Sequence, residues 1–166
     1  MKRIVLMGFM GAGKTTVGKE LAKALFCEFI DTDECIEKEQ GRKILNIFEN
    51  DGETVFRNLE TDLLKRLQKS ENAFVLSVGG GMPMRVENRS LLRSIGTVIY
   101  LKTSKEEIIR RVSEDTTRPL LQGGTLEEKV TALMEAREQI YLETADKIIH
   151  TDGKSVPDLV DLIKNI

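Results

Sequence analysis

Gly8-Phe9-Met10-Gly11-Ala12-Gly13-Lys14-Thr15 follows the spacing G-x-x-x-x-G-K-[ST]. Glycines placed this way let successive backbone N–H groups turn toward one centre, where they cradle phosphate oxygens. Lys14 would reach the β- and γ-phosphates of ATP as a point charge, and Thr15 would offer its hydroxyl to Mg²⁺. Two carboxylates follow in Asp31-Thr32-Asp33. At i and i+2 of extended chain they point to one side. Asp31 could then hold a water on Mg²⁺, and Asp33 could accept from an acceptor hydroxyl and take its proton. The same residues also suit helix capping, because Asp31-x-x-Glu34 resembles a capping box. Arg57 and Glu60 are spaced i, i+3. They are either an ordinary surface pair or a carboxylate holding a guanidinium fork ready for an anion. Gly79-Gly80-Gly81 would let a ligand approach bare backbone, or would be a flexible turn. Arg118 sits in a polar stretch over 113–124 that ends in Gly123-Gly124. That stretch reads as a mobile lid whose arginine closes over phosphates, or as a disordered connector. Arg137 interrupts an apolar stripe, and a charge so placed is normally paired or bound to a ligand.

Positioning these groups takes alternating strands and helices. Ile4-Val5-Leu6-Met7 is a continuous apolar run, as suits a buried parallel strand. Val17, Leu21, Ala22 and Leu25 then recur at helical spacing over 14–26, so a helix N-terminus points at the loop. Glu28 to Asp31 is a short second strand. Residues 34–56 carry short helical pieces broken by Gly41 and Asn50-Asp51-Gly52, and Phe56-Arg57 opens a helix to about residue 69. Ala73 to Val78 is the third strand. Ser77 stands near where phosphate-loop proteins usually carry a metal-binding aspartate. Thr97 to Leu101 is the fourth strand. Ser104 caps the next helix, with Ile108, Ile109 and Val112 inward and Arg110 and Arg111 outward. Thr125 caps a helix to about residue 144. Lys147 to His150 is the fifth strand, and Ser155-Val156-Pro157 starts the last helix. The turn Thr151-Asp152-Gly153-Lys154 is well placed to touch an adenine. Ligands of open α/β sheets bind outside the carboxyl ends of the strands, so the phosphate loop, the aspartates and the triple glycine should share one crevice.

Composition fits a single α/β domain spanning residues 1–166. The 25 lysines and arginines oppose 27 aspartates and glutamates, a net charge of −2, so no global field attracts nucleic acid or an anionic membrane. The sequence has no long apolar run for a membrane helix. Cys27 and Cys35 are the only cysteines, which suits reduced thiols and a cytoplasmic location. The single histidine, His150, cannot build a histidine metal site. Monomer is the default expectation.

Together these motifs resemble the shikimate kinase family from end to end. The resemblance rests on Gly8 to Gly18, Asp31-Thr32-Asp33, Phe56-Arg57-x-x-Glu60, Ser77-x-Gly79-Gly80-Gly81, Arg118-Pro119-Leu120 and Arg137-x-x-x-Tyr141. It implies a three-layer phosphate-loop kinase fold, with a five-stranded parallel sheet of order 2-3-1-4-5 flanked by helices. It implies an acceptor-binding insertion over about 34–60 and a lid over about 113–124. The reaction implied is Mg²⁺-dependent transfer of the ATP γ-phosphoryl group to the 3-hydroxyl of shikimate, a step in making aromatic amino acids. Carried onto this chain, Gly11, Ala12, Gly13, Lys14, Thr15 and Thr16 would bind ATP and metal. Arg110 would lie near the adenine, and Arg118 would close over the nucleotide. Asp33, Arg57, Gly79, Gly80, Gly81 and Arg137 would bind shikimate. Lys14, Asp33 and Arg118 would form the catalytic set. Thr15 and Asp31 would serve the metal, Glu60 would support the acceptor pocket, and the Phe48 and Phe56 rings either wall that pocket or are plain core. Where the family often has a proline two residues after the last arginine, this chain has Gln139. The competing readings are another small-molecule kinase of this fold, such as one for gluconate, and a nucleotide-dependent binding module without turnover. A guanine-reading Asn-Lys-x-Asp segment is lacking.

Overall fold

A computed structural model describes residues 2–114 and 125–166. Five strands, β1 (Arg3–Met7), β2 (Glu28–Asp31), β3 (Phe74–Ser77), β4 (Thr97–Lys102) and β5 (Lys147–His150), form one sheet of order β2-β3-β1-β4-β5. Every pairing is parallel. The expected order and hand of pairing are therefore found. Strand alternation sends Ile4 and Leu6 to one face and Val5 and Met7 to the other, and all four are buried. That is why β1 reads as an unbroken apolar run.

One face is covered by α1 (Lys14–Ala24) and α8 (Val156–Lys164), whose Leu21, Leu159 and Ile163 meet Ile4, Leu6, Ile99 and Leu101. The other face packs against α5 (Val86–Ile95), α6 (Lys105–Ser113) and α7 (Leu126–Thr144) through Leu92, Ile95, Ile108, Val130 and Tyr141. The insertion folds as α2 (Thr32–Gln40), α3 (Ile44–Asp51) and α4 (Glu53–Gln68), around a small core of Ile36, Ile47, Phe56 and Leu63.

Three boundaries differ from the sequence pattern. Helix α2 starts at Thr32, because the Asp31 side chain caps it by accepting from the Asp33 and Glu34 amides. Helix α4 starts at Glu53, before Phe56, directly after the Gly52 turn (φ 90°). A 3-10 turn over Met82–Met84 and the whole of α5 lie in a stretch whose pattern marks no element. Of the expected lid, Ser113 and Glu114 are described and residues 115–124, with Arg118, lie outside the described residues. Cys27 and Cys35 are half-buried and unbridged. Among the described residues no helix is long and apolar enough to cross a membrane.

Candidate active site

The phosphate loop connects β1 to α1. Gly11 (φ 81°) and Gly13 (φ 92°) take the left-handed backbone that only glycine adopts freely, and Gly13 is the N-cap of α1. Lys14 begins the helix. Its Nζ donates to the Gly8 and Phe9 carbonyls at 2.7 and 3.0 Å. The loop, with Thr15, Thr16, Asp31, Asp33 and residues 77–80, lines a cleft of about 240 Å³ at the carboxyl end of the sheet. The helix dipole and the free amides of its first turn point into that cleft.

Asp31 caps helix α2, as its capping-box spacing allowed, and also contacts the phosphate loop. Its Oδ1 accepts from the Asp33 and Glu34 amides at 2.9 and 3.1 Å, while its Oδ2 accepts from the Thr15 hydroxyl at 3.3 Å. Asp33 is not in extended chain beside it, as the i, i+2 spacing suggested. It lies in the first turn of α2, yet still lines the same cleft. Burial pushes its carboxyl up to about 6, helped by the charge of Asp31.

A second cavity, about 740 Å³, opens between α2, α3, α4, α7 and the glycine loop. It shares Met10, Asp33, Gly79 and Gly80 with the phosphate cleft, so Asp33 stands where the two spaces meet. Phe48 and Phe56, with ring centroids 5.0 Å apart, help wall it. Arg57 and Arg137 line it too. Arg57 donates from Nη1 to Glu60 Oε1 at 2.6 Å, so this pair is no ordinary surface contact: Glu60 is fully buried. Burial pushes the Glu60 carboxyl up to about 7, with Arg57 pulling against it. Arg137 is 6% exposed and stacks 5.8 Å from the Phe9 ring of the phosphate loop. Arg137 Nη1 and Glu60 Oε2 are buried without a hydrogen-bond partner among the described residues. An unsatisfied buried guanidinium nitrogen is costly, and an anionic ligand would satisfy it.

The triple glycine is explained by the chain's own side chains. A β-carbon on Gly79 would lie 3.0 Å from Asp33 Oδ1 and 3.1 Å from Glu60 Oε2. On Gly80 it would lie 3.0 Å from Arg137 Nη1, and on Gly81 it would run into the Arg57 guanidinium. The glycines thus leave room for the polar groups of the site: Asp33 and Glu60 beside Gly79, Arg137 and Tyr141 beside Gly80, and Arg57 beside Gly81. The sequence alone suggested room for a ligand, or a flexible turn.

Three features escaped the sequence pattern. Buried Thr32 accepts from the Gly79 amide at 3.1 Å and ties the aspartates to the glycine loop. Arg111, expected outward, donates to the Gly11 carbonyl at 2.8 Å. Buried Asn88 accepts from Thr61 at 2.7 Å and donates to the Met82 carbonyl at 2.9 Å, joining α4 to the segment after the glycines. Arg110 pairs with Glu107 on the exposed surface, and Lys154 donates to the His150 carbonyl. Neither lines either cavity.

The model of the shikimate kinase family matches residues 10–166. The chain belongs to the shikimate kinase family. A shikimate kinase of Thioalkalivibrio sulfidiphilus is 45% identical over 160 residues, covering 96% of this chain and 84% of that one. The structure of a shikimate kinase from Acinetobacter baumannii in complex with shikimate is 41% identical, with a TM-score of 0.93 over 99% of this chain and 92% of that one. Deoxyadenosine kinase from M. mycoides with bound dATP is 20% identical over 98% of this chain and 97% of that one. Its TM-score of 0.67 marks a shared fold. As a member of the shikimate kinase family, the chain is a phosphotransferase of this nucleotide-kinase fold.

Proposed function

We infer that the protein transfers the γ-phosphoryl group of ATP to the 3-hydroxyl of shikimate. The observation that carries this reading is the junction at Asp33 between a phosphate cleft and a cavity lined by buried Arg137 and half-buried Arg57. Shikimate is a small carboxylate bearing hydroxyls. Arg57, held by Glu60, and Arg137, with its unsatisfied Nη1, would grip the carboxylate. Asp33 would accept from the 3-hydroxyl and orient it toward the γ-phosphate, taking its proton as the bond to phosphorus forms. The amides over Gly11–Thr16 and the Lys14 ammonium would bind the nucleotide phosphates. Lys14, which donates to the Gly8 and Phe9 carbonyls here, would turn from them to the phosphates. Phosphoryl transfer needs mostly positioning and charge stabilisation, and these residues supply both. Arg118 would add a lid charge over the nucleotide; it lies outside the described residues.

Mg²⁺ fits the donor set. Thr15 Oγ1 and Asp31 Oδ2 are hard oxygens 3.3 Å apart at the phosphate cleft. Among the described residues no three acidic, histidine or cysteine side chains gather into a cage. That suits an ion held by one or two protein oxygens together with substrate phosphates. When bound, it neutralises charge on the β- and γ-phosphate oxygens. Family membership disfavours gluconate as acceptor and a binding module without turnover.

Incubating the protein with MgATP and shikimate, and reading the product by ³¹P and ¹H NMR, tests the regiochemistry. Phosphate on the 3-hydroxyl is the expected result. Phosphate on another hydroxyl would overturn the placement of Asp33.

A further inference from the structure

Tyr141 lies one helical turn beyond Arg137 on α7 and is 1% exposed. Its hydroxyl donates to the Gly80 carbonyl, across 61 residues of chain. A β-carbon on Gly80 would lie 3.0 Å from Arg137 Nη1 and 3.3 Å from the Tyr141 hydroxyl, so loop, guanidinium and phenol meet at one point. The next glycine, Gly81, is packed against Arg57. The placement of two adjacent glycines therefore sets the separation of the two arginines.

The other side of α7 is fastened independently. The Tyr141 ring packs on Tyr100 with centroids 5.2 Å apart. The Tyr100 hydroxyl donates to Glu138, which also pairs with Lys102 at 2.8 Å. That contact holds the helix to β4. It leaves the glycine loop untouched. Among the described residues the Tyr141 hydroxyl links α7 to the loop, and it also meets the Arg137 side chain, so it joins the loop and the guanidinium at one point.

We propose that Tyr141 is a positioning residue for the acceptor: through the Gly80 carbonyl it fixes the glycine loop relative to α7, and so the spacing of Arg57 and Arg137. Burial pushes the phenol up to about 12, so it remains a donor throughout the working pH range. The inference rests on the reading of shikimate as the acceptor whose carboxylate the two arginines grip. Without the hydroxyl, the ring still fills its place. The Gly80 carbonyl loses its donor, and the loop can shift.

The test compares Tyr141→Phe with Tyr100→Phe in steady-state kinetics. Each variant keeps its ring and loses one hydroxyl, and only one hydroxyl touches the loop. Tyr141→Phe should raise the KM for shikimate by roughly tenfold, the size of one lost buried hydrogen bond, with kcat and the KM for ATP within about threefold. Tyr100→Phe should leave the KM for shikimate within about twofold. Equal shifts in the two variants would make the effect one of packing and overturn the proposal. So would a Tyr141→Phe that raises both KM values alike, or changes neither.

Should Tyr141→Phe fail to fold, the wild type answers the question. The chain has two tyrosines, so 3-fluorotyrosine labelling gives two ¹⁹F resonances, assigned with Tyr100→Phe. Shikimate should move the Tyr141 resonance; movement of the Tyr100 resonance alone would overturn the proposal. A wild type that does not use shikimate would refute the acceptor reading itself. An active wild type with an unshifted Tyr141→Phe would refute only the positioning role.

Discussion

Gly81→Ala is the smallest change that should displace the Arg57 guanidinium, because one added methyl would press directly on it. Gly81 has φ −90° and ψ −7°, a conformation alanine accepts, so the backbone has no reason to move. The added methyl would lie 2.8 Å from Cζ and 2.9 Å from Nη1 of Arg57, and nearer still to Nη2. Ordinary contact begins near 3.4 Å. The guanidinium is the far end of a flexible side chain, so it retreats, by about 1 Å. That retreat draws it off Glu60 Oε1, now at 2.6 Å, and leaves a fully buried carboxylate short of its partner. Deleting such a partner would cost about 3–5 kcal/mol of stability. Here the charge is displaced rather than removed, and Glu60, already raised to about 7, can take up a proton. A stability loss of about 1–2 kcal/mol is therefore expected. The loss in activity should be larger. Misplacing a binding group by about 1 Å costs about a hundredfold, or about 2.7 kcal/mol, in kcat/KM. The assay is coupled ADP release with shikimate varied at saturating MgATP, repeated with ATP varied. Thermal melting shows that the variant is folded. A folded variant with kcat/KM for shikimate within about threefold of wild type would refute the contact between loop and guanidinium. An equal loss for ATP would refute its assignment to the acceptor side.

Arg137→Ala should weaken shikimate binding by about 2–5 kcal/mol and barely change ATP binding; equal losses in calorimetry would contradict the assignment. Asp33, held up to about 6 by burial and the charge of Asp31, must be ionised to accept from a hydroxyl. The kcat/KM for shikimate should therefore climb with pH and level off above about 6, and a profile flat from about pH 5 to 8 would exclude Asp33 from that role. Glu60 has a folded pKa raised from 4.5 to about 7, so the folded state binds more protons than the unfolded one across that window. Stability from this group is thus lost as pH rises from 4.5 toward 7, and Glu60→Gln should flatten the slope in chemical denaturation measured across pH, most clearly between about 6 and 7, above the range in which Asp33 contributes. An unchanged slope in the variant would place the titration elsewhere.

The phosphate loop and the strands are legible in the sequence because local chemistry dictates them. Positive φ at Gly11 and Gly13 demands glycine, and strands buried on both faces demand continuous apolar runs. The order β2-β3-β1-β4-β5 came with the family resemblance, since pairing between distant strands leaves no local mark. Helix α5 went unread for two reasons. Its N-cap, Arg85, makes no side-chain cap, and its inner face carries a fully buried asparagine, Asn88, that interrupts the apolar stripe. Within the site, the types and spacings of Lys14, Asp33, Arg57 and Arg137 were legible; their partners were not. The Arg57 guanidinium fills the space beside Gly81, and Tyr141 bonds to the Gly80 carbonyl. These contacts join residues far apart in sequence, so no spacing rule reports them. Arg111 shows the same limit. Its polar end lies on the Gly11 carbonyl, while its place in the helix pattern reads as solvent-facing.

The central claim is that Asp33 joins an ATP phosphate cleft to a carboxylate-binding cavity suited to shikimate. The most direct test is ADP release by the purified protein with MgATP, comparing shikimate, gluconate, AMP and no acceptor. The expected result is release that depends on shikimate and is absent with the other three. Release with gluconate or AMP in preference to shikimate, or hydrolysis of ATP indifferent to any acceptor, would contradict it.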